Sequence, residues 1–259
     1  MKINDHIHYI TTQYKDIFTT VYALRTEHGS VLFDAASFDS DIDTQVVPFL
    51  ESLRIQPQDL KYVFISHNHA DHSGGLAQLL ERYPDICIVT RSETLREKYK
   101  DRSFLLPEEG EKLLDTFRVV TIPGHTIDSA ALLDERTMTL ITGDCLQQYG
   151  IRGSGDWASN ISYPAAHLAA IEKVRALGAQ QIVTAHDYVP YGFRAEGDGV
   201  SEMLDACVEP LLRLKNLIRE YPEENDEQIR RRFSDFENQL TINTRVVAAM
   251  RAAIADGTV

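Results

Sequence analysis

Cysteine is scarce in this chain: Cys87, Cys145 and Cys207 are far apart, odd in number and free of any CxxC pair, which excludes a disulfide framework and a thiolate zinc site. They read as reduced and structural. Long apolar runs are missing too, since none approaches the roughly 18 residues a membrane span needs. The opening stretch, "MKINDHIHYITTQYKDIF", lacks the apolar core and small-residue cleavage site of a secretory leader. No membrane partner is expected, and the cytoplasm is the expected location. Positive charge is in deficit, with 26 Lys and Arg against 39 Asp and Glu and a net charge of -13. Phosphate backbones require Lys and Arg concentrated on one face, so nucleic acid is not an expected partner. The one basic run, "IRRRF" at 229–233, lies near "PEEND" and reads as a solvated helix face balanced by acids.

What is present is enough for a full core: 259 residues, 43% of them hydrophobic, suffice for one large domain with or without a small appendage. β-rich runs at 21–26 and 31–33 flank the turn signal Glu27, His28, Gly29, which predicts a hairpin. A short helix is expected at 46–53 and a buried strand at 61–66. After that strand, Leu76, Leu79, Leu80 and Tyr83 recur at the spacing of one helix face. Further strands are expected at 86–90 and 117–122, a helix around 93–99, and a hairpin formed by "AALL" and "MTLIT" that ends at Asp144. A helix through Leu168, Ile171, Val174 and Leu177 closes at Gly178, and the strand "QIVTA" ends at His186. From Ser201 onward the pattern is helical, with Pro210 predicting a kink or two shorter helices. The organisation is therefore an α/β domain over 1–200 and a helical extension over 201–259.

Between the strand at 61–66 and the next helix stands "SHNHADHSGG", with His67, His69, Asp71 and His72 in six positions. Buried without compensation, such groups are costly; imidazole and carboxylate are also the usual ligands of zinc-like ions. His125, Asp144 and His186 each follow another strand. Five of the nine histidines thus fall at strand ends, where α/β proteins place their sites. Three imidazoles make a neutral, open donor set, and carboxylates offset part of the charge of two divalent ions held roughly 3.5–4 Å apart.

These residues carry a resemblance. "HNHADH", then "PGHT" with His125, "TGD" with Asp144, "AHDY" with His186 and "LFDAA" with Asp34 resemble the motifs of the metallo-β-lactamase superfamily over roughly residues 18–190. The resemblance implies an αββα sandwich, here with a small C-terminal helical subdomain. It implies that His67, His69 and His125 hold one metal, that Asp71, His72 and His186 hold a second, and that Asp144 bridges them. The ions implied are two divalent metals, zinc first, with iron or manganese as alternatives. Asp34 is expected to accept a hydrogen bond from a ligand imidazole.

Within the superfamily, true β-lactamases of this type tend to carry Cys or Ser where this chain has Asp144, and flavodiiron proteins carry Glu where it has His69. The glyoxalase II-like and lactonase branches keep the Asp, and "GDCLQQYGIRG" faintly resembles the former. The expected activity is metal-dependent hydrolysis of a small thioester or lactone, with Asp71 passing a proton to the leaving group. Tyr149, Tyr163 and Tyr188 lie beside motif loops, and Tyr149 and Tyr188 are the candidates to donate to the oxyanion. The rivals are a small-molecule phosphodiesterase, a mono-iron persulfide-type dioxygenase, and a metal-binding module without turnover. The acid-rich tail is expected to cover a rim of the cleft or to form a homodimer contact.

Overall fold

A computed structural model describes residues 1–154 and 157–259. Two six-stranded mixed sheets face each other. The first runs in chain order: β1 (Ile7–Tyr14), β2 (Ile17–Thr26), β3 (Gly29–Phe33), β4 (Leu60–Phe64), β5 (Cys87–Val89) and β6 (Phe104–Leu105). The predicted hairpin is present, with Thr26 opposite Gly29, while β3 to β6 are parallel. The second sheet holds β7 (Lys112–Leu113), β8 (Phe117–Thr121), β9 (Ala130–Asp134), β10 (Thr139–Ile141), β11 (Gln181–Tyr188) and β12 (Gly192–Glu196). Its β9–β10 pair is the second predicted hairpin, and β10 and β11 run parallel.

Strand alternation builds the layers. Val31 and Phe33 join Leu132, Val119, Phe117 and Val183 in the core between the sheets. Leu32 and Val63 face outward under Ile42, Val46, Leu50, Leu76 and Leu79. On the far side, Leu133, Val120 and Ile182 pack under Ile171, Val174, Met203 and Leu204. The helices on the two outer faces are α1 (Asp39–Asp41), continued by a π-helical turn at Ile42–Val46, α2 (Val47–Ser52), α3 (Ala70–Ser73), α4 (Leu76–Arg82), α5 (Glu93–Lys98), α6 (Pro164–Leu177) and the first half of α7 (Gly199–Glu220). The result is the αββα sandwich expected.

Strands β6, β7 and β12 were not expected, and three further elements differ from expectation. The strand through "QIVTA" does not end at His186 but continues to Tyr188, with its register against β12 shifting between Val183 and Tyr188; the irregular stretch puts His186 inside the strand. The helix α7 (Gly199–Glu220) is one helix rather than two, with Pro210 inside it. An interior proline costs about 3 kcal/mol, which burial of Met203, Leu204, Cys207, Leu211, Leu214 and Ile218 along one face outweighs. β1 has no counterpart in the sequence reading, because its polar-rich "IHYITTQY" shows no clean apolar alternation.

The first half of α7 packs in the sheet-covering core, and its second half forms a separate core with α8 (Asp226–Phe233) and α9 (Thr244–Ala255) through Leu211, Leu214, Phe233, Val247 and Met250. The basic run is neutralised as the charge pattern predicts: Arg230 and Arg231 both pair with Glu227, at 2.7 and 2.8 Å. Among the described residues no helix is long and apolar enough to cross a membrane, and all three cysteines are free.

Candidate metal centre

The strand ends meet at one edge of the sandwich. His67, His69, Asp71 and His72 follow β4, His125 follows β8, Asp144 follows β10, and His186 rides on β11. Close approach depends on glycine at two points. Gly143, at φ +56°, lets the Asp144 loop lie against Ser66, whose Oγ would be 2.5 Å from any Cβ there. A Cβ on Gly74 would fall 1.9 Å from the Ser37 carbonyl oxygen. Gly74 is therefore needed for close packing of α3 against residues 34–37, rather than for an unusual turn.

Among the described residues, two groups of metal-capable side chains result: His67, His69 and His125, and Asp71, His72, Asp144 and His186, with ligand atoms within 4.8 Å of one another in each group. Six of the seven side chains are buried, His69 being half-exposed. Both His67 Nε2 and His125 Nε2 lie 2.9 Å from the same His69 Nδ1. Asp144 spans the groups: its Oδ1 lies 3.1 Å from His186 Nε2 and 3.5 Å from His72 Nε2, and its Oδ2 is 3.7 Å from His125 Nε2.

The outward nitrogens decide the tautomers. His125 Nδ1 donates to the Asn160 carbonyl and His186 Nδ1 to the Phe18 carbonyl, each at 2.6 Å. His72 Nδ1 donates to Asp34 Oδ2 at 2.7 Å. Ser66 Oγ, which is 3.1 Å from His67 Nδ1, donates to the same Asp34 oxygen at 3.0 Å. Asp34, fully buried at φ +64°, thus steadies one imidazole of each group, which fits the expected role. With those protons placed outward, a neutral ring turns a lone pair inward.

In the second group two inward atoms are left without an aligned hydrogen bond. His72 Nε2 and Asp144 Oδ1 are buried and have no hydrogen-bond partner; leaving such groups unsatisfied costs about 1–3 kcal/mol each, more when charged. A cation is the occupant these atoms fit in the second group, and in the first it fits the three imidazole nitrogens that converge there.

Electrostatics separate the groups. Burial drives the protonation of His67 well down, with His72 and His125 adding to the effect, and burial lowers His69 against the pull of Asp144. Burial, partly offset by Asp144, brings His125 down to about 4. In the second group burial opposes charge, yet Asp71, Asp34 and Asp144 hold His72 well above its ordinary range, and Asp144 and Asp71 lift His186 to about 9. Burial would likewise raise Asp71 and Asp144, but their histidine neighbours hold both carboxyls well below the usual range.

The groups open on a cleft of about 260 Å³ bordered by Tyr14, Ile17, Ile151 and Trp157 on its apolar side and by Gln147 and Asn160 near the ligands. The larger cavity of about 710 Å³ between α6 and α7 is remote from this chemistry.

A match to the family model described as "Metallo-beta-lactamase superfamily" spans residues 14–186, more than half of the chain and every residue of both groups. The chain belongs to the metallo-beta-lactamase superfamily. Among curated superfamily relatives, the lactamase-like protein vrtG of Penicillium aethiopicum is 29% identical over 142 residues, 54% of this chain and 42% of that protein. A hydroxyacylglutathione hydrolase of Hamiltonella defensa is 39% identical over 72 residues, 27% of each chain. The chain spans about half or less of these relatives' length. A solved structure of a metallo-beta-lactamase family protein from Thermus thermophilus shares the fold with a TM-score of 0.69 at 18% identity, covering 99% of this chain and 95% of that one.

The tyrosines part company. Tyr149, a candidate oxyanion donor, is turned away from the centre: its hydroxyl donates to Glu209 of α7, and its ring packs in the helical core beside Phe233. The four residues that separate it from Asp144 carry the chain past the cleft rather than back to it. Tyr188 is buried behind Asp144, edge-on to His186, and its hydroxyl accepts from Gln147 Nε2 at 2.9 Å; burial first, then Asp144, raises its phenol far above its usual range. Tyr188 does not border the cleft, so it fits a positioning role better than donation to substrate. Tyr163 is a half-exposed residue at the start of α6. Cys145 is fully buried, its Sγ 3.5 Å from the Ala130 carbonyl, a packing residue behind Asp144.

Sequence reasoning missed Gln147, which holds Asn160 N at 3.0 Å through Oε1, and Thr19, whose hydroxyl donates to Asp71 at 3.4 Å. It also missed Ser66, although that residue opens the quoted motif.

Proposed function

We propose that this chain is a hydrolase of a small ester-like carbonyl compound, a thioester or lactone, working with two divalent ions, zinc first. The observation that carries the reading is the pair of inward-facing donor groups that share Asp144. His67, His69 and His125 would hold one ion, and Asp71, His72 and His186 the other. When bound, the ions supply a water acidified toward a pKa of about 7 and a positive field for the developing oxyanion.

The chain's own residues do the rest. Tyr14, Ile17, Ile151 and Trp157 form an apolar wall for the acyl portion and keep bulk water from it. Asp71, held ionised by His72 and His186, keeps a proton-accepting oxygen at the cleft floor and can return the proton to the leaving group. Among the described residues no lysine or arginine lines the floor of the cleft beside the donor groups, which favours an uncharged reacting carbonyl over a phosphodiester, while Lys15 Nζ stands over the Tyr14 and Trp157 rings of the wall. The likeness to a hydroxyacylglutathione hydrolase supports a thioester.

The test is a panel of thioesters, lactones, phosphodiesters and persulfides on metal-replete protein. Chelator-sensitive cleavage of a thioester or lactone is expected. Turnover of phosphodiesters alone, or oxygen consumption with persulfide under iron loading, would overturn the reading.

A further inference from the structure

Residues 150–154 and 157–160 form one side of the cleft through Ile151 and Trp157, and several of them are held from the other end of the chain. The turn between α8 and α9 closes with Asp235 and Leu240 bridged, and Gln239 there adopts φ +56°. Its carboxamide makes three contacts with the loop: Nε2 donates to the Ser154 carbonyl at 2.6 Å and the Ile151 carbonyl at 3.4 Å, and Oε1 accepts from Gly153 N at 2.9 Å. The Gln239 carbonyl accepts from Gly150 N at 3.3 Å. Gly150 permits this approach, since a Cβ there would fall 2.9–3.0 Å from Thr241 Oγ1 and from the Trp157 and Gln239 carbonyls.

Within the loop, Ile151 N donates to the Trp157 carbonyl at 2.9 Å. Trp157 Nε1 in turn donates to Asp16 Oδ1 at 2.5 Å, across the mouth of the cleft, where its ring meets Tyr14 with centroids 5.9 Å apart. The far end of the loop has separate anchors: Asn243 N donates to Ser159 O at 2.8 Å, and Asn160 N to Gln147 Oε1.

We propose that Gln239 is a positioning residue for the substrate cleft, a clasp from the C-terminal helices that sets the Ile151 and Trp157 wall. This rests on the cleft being the substrate site. Because Asn160, which orients His125, is anchored independently, loosening the clasp weakens binding of the acyl portion and leaves the ligand imidazoles in place. Its signature is a rise in KM at constant kcat.

Trp157 is the only tryptophan in the chain, so its fluorescence reports the wall without any substrate. The experiment compares acrylamide quenching of Trp157 in metal-loaded wild type, Gln239→Ala, Gln239→Glu and the neighbouring control Asn238→Ala, with circular dichroism confirming the fold. Gln239→Glu keeps the stem and the acceptor for Gly153 but sets charge against two carbonyl oxygens, so it tests the clasp even if the alanine variant folds poorly. Greater quenching is expected in both Gln239 variants and not in Asn238→Ala, with KM raised about five-fold, the factor of about one net hydrogen bond. Unchanged quenching in the Gln239 variants, or an equal rise in Asn238→Ala, would overturn the clasp whatever the protein hydrolyses. Greater quenching with unchanged KM, or a fall in kcat instead, would overturn its role in binding.

Discussion

The two donor groups lie side by side and differ in kind. His67, His69 and His125 are imidazoles alone, and burial leaves them without protons: His125 sits at about 4. The group with Asp71, His72, Asp144 and His186 pairs two carboxylates with two histidines that keep their protons, His186 up to about 9. Metal-free, the first group is a set of lone pairs waiting for a cation, while the second is an internal ion-pair network that a cation must displace. Neighbouring carboxylates therefore make a histidine harder to deprotonate even as they make the site more attractive to a divalent ion.

The largest expected effect comes from the residue the groups share. Asp144→Ala should abolish turnover and lower metal content in both groups, with the far-ultraviolet circular dichroism unchanged. Near-native activity, or loss from one group only, would break the idea that Asp144 joins them.

Asp34 comes next, because it receives His72 directly and His67 through Ser66. Asp34→Asn should cost about 10–100-fold in metal affinity or activity, and isothermal titration should find both groups weakened. A loss confined to the second group would show that the Ser66 relay carries nothing.

A pH series sharpens the contrast. The His186 value is raised on folding, so its stabilising contribution is full below its unfolded value of about 6.5 and is lost as pH rises through about 9. The Tm of the metal-free protein should fall across that window. A ligand imidazole must be neutral, so loading the second group should release protons and weaken as pH drops below about 9. The first group should take up its ion with little proton release over roughly pH 5 to 8. Calorimetry in buffers of different ionisation enthalpy checks this, and equal proton release for both ions would contradict it.

The smallest effect is expected from Tyr149→Phe. It removes the bond to Glu209 and should cost about 1 kcal/mol of stability, read by chemical denaturation, while kcat stays at the wild-type value. A large fall in kcat would return the phenol to the chemistry.

The candidate ligand types, their order and, for all but His186, their place just after a strand were determined by sequence alone. Spacing within a strand, loop and helix unit is local, and alternation such as Val31, Leu32, Phe33 assigns faces without knowledge of partners. Asp34 was legible for the same reason, as the polar residue where a buried strand stops. The tertiary structure decided what meets those residues from elsewhere in the chain. Partners of His125 and His186 are the carbonyls of Asn160 and Phe18, and a carbonyl has no residue identity for a sequence to display. The direction of Tyr149 followed from a helix sixty residues later, the unity of α7 across Pro210 from burial on both sides of it, and the hold of Gln239 on the cleft wall from a turn beyond α8. In each case contacts across long stretches of chain outweighed the local preference, because only the packed molecule brings those atoms within bonding distance.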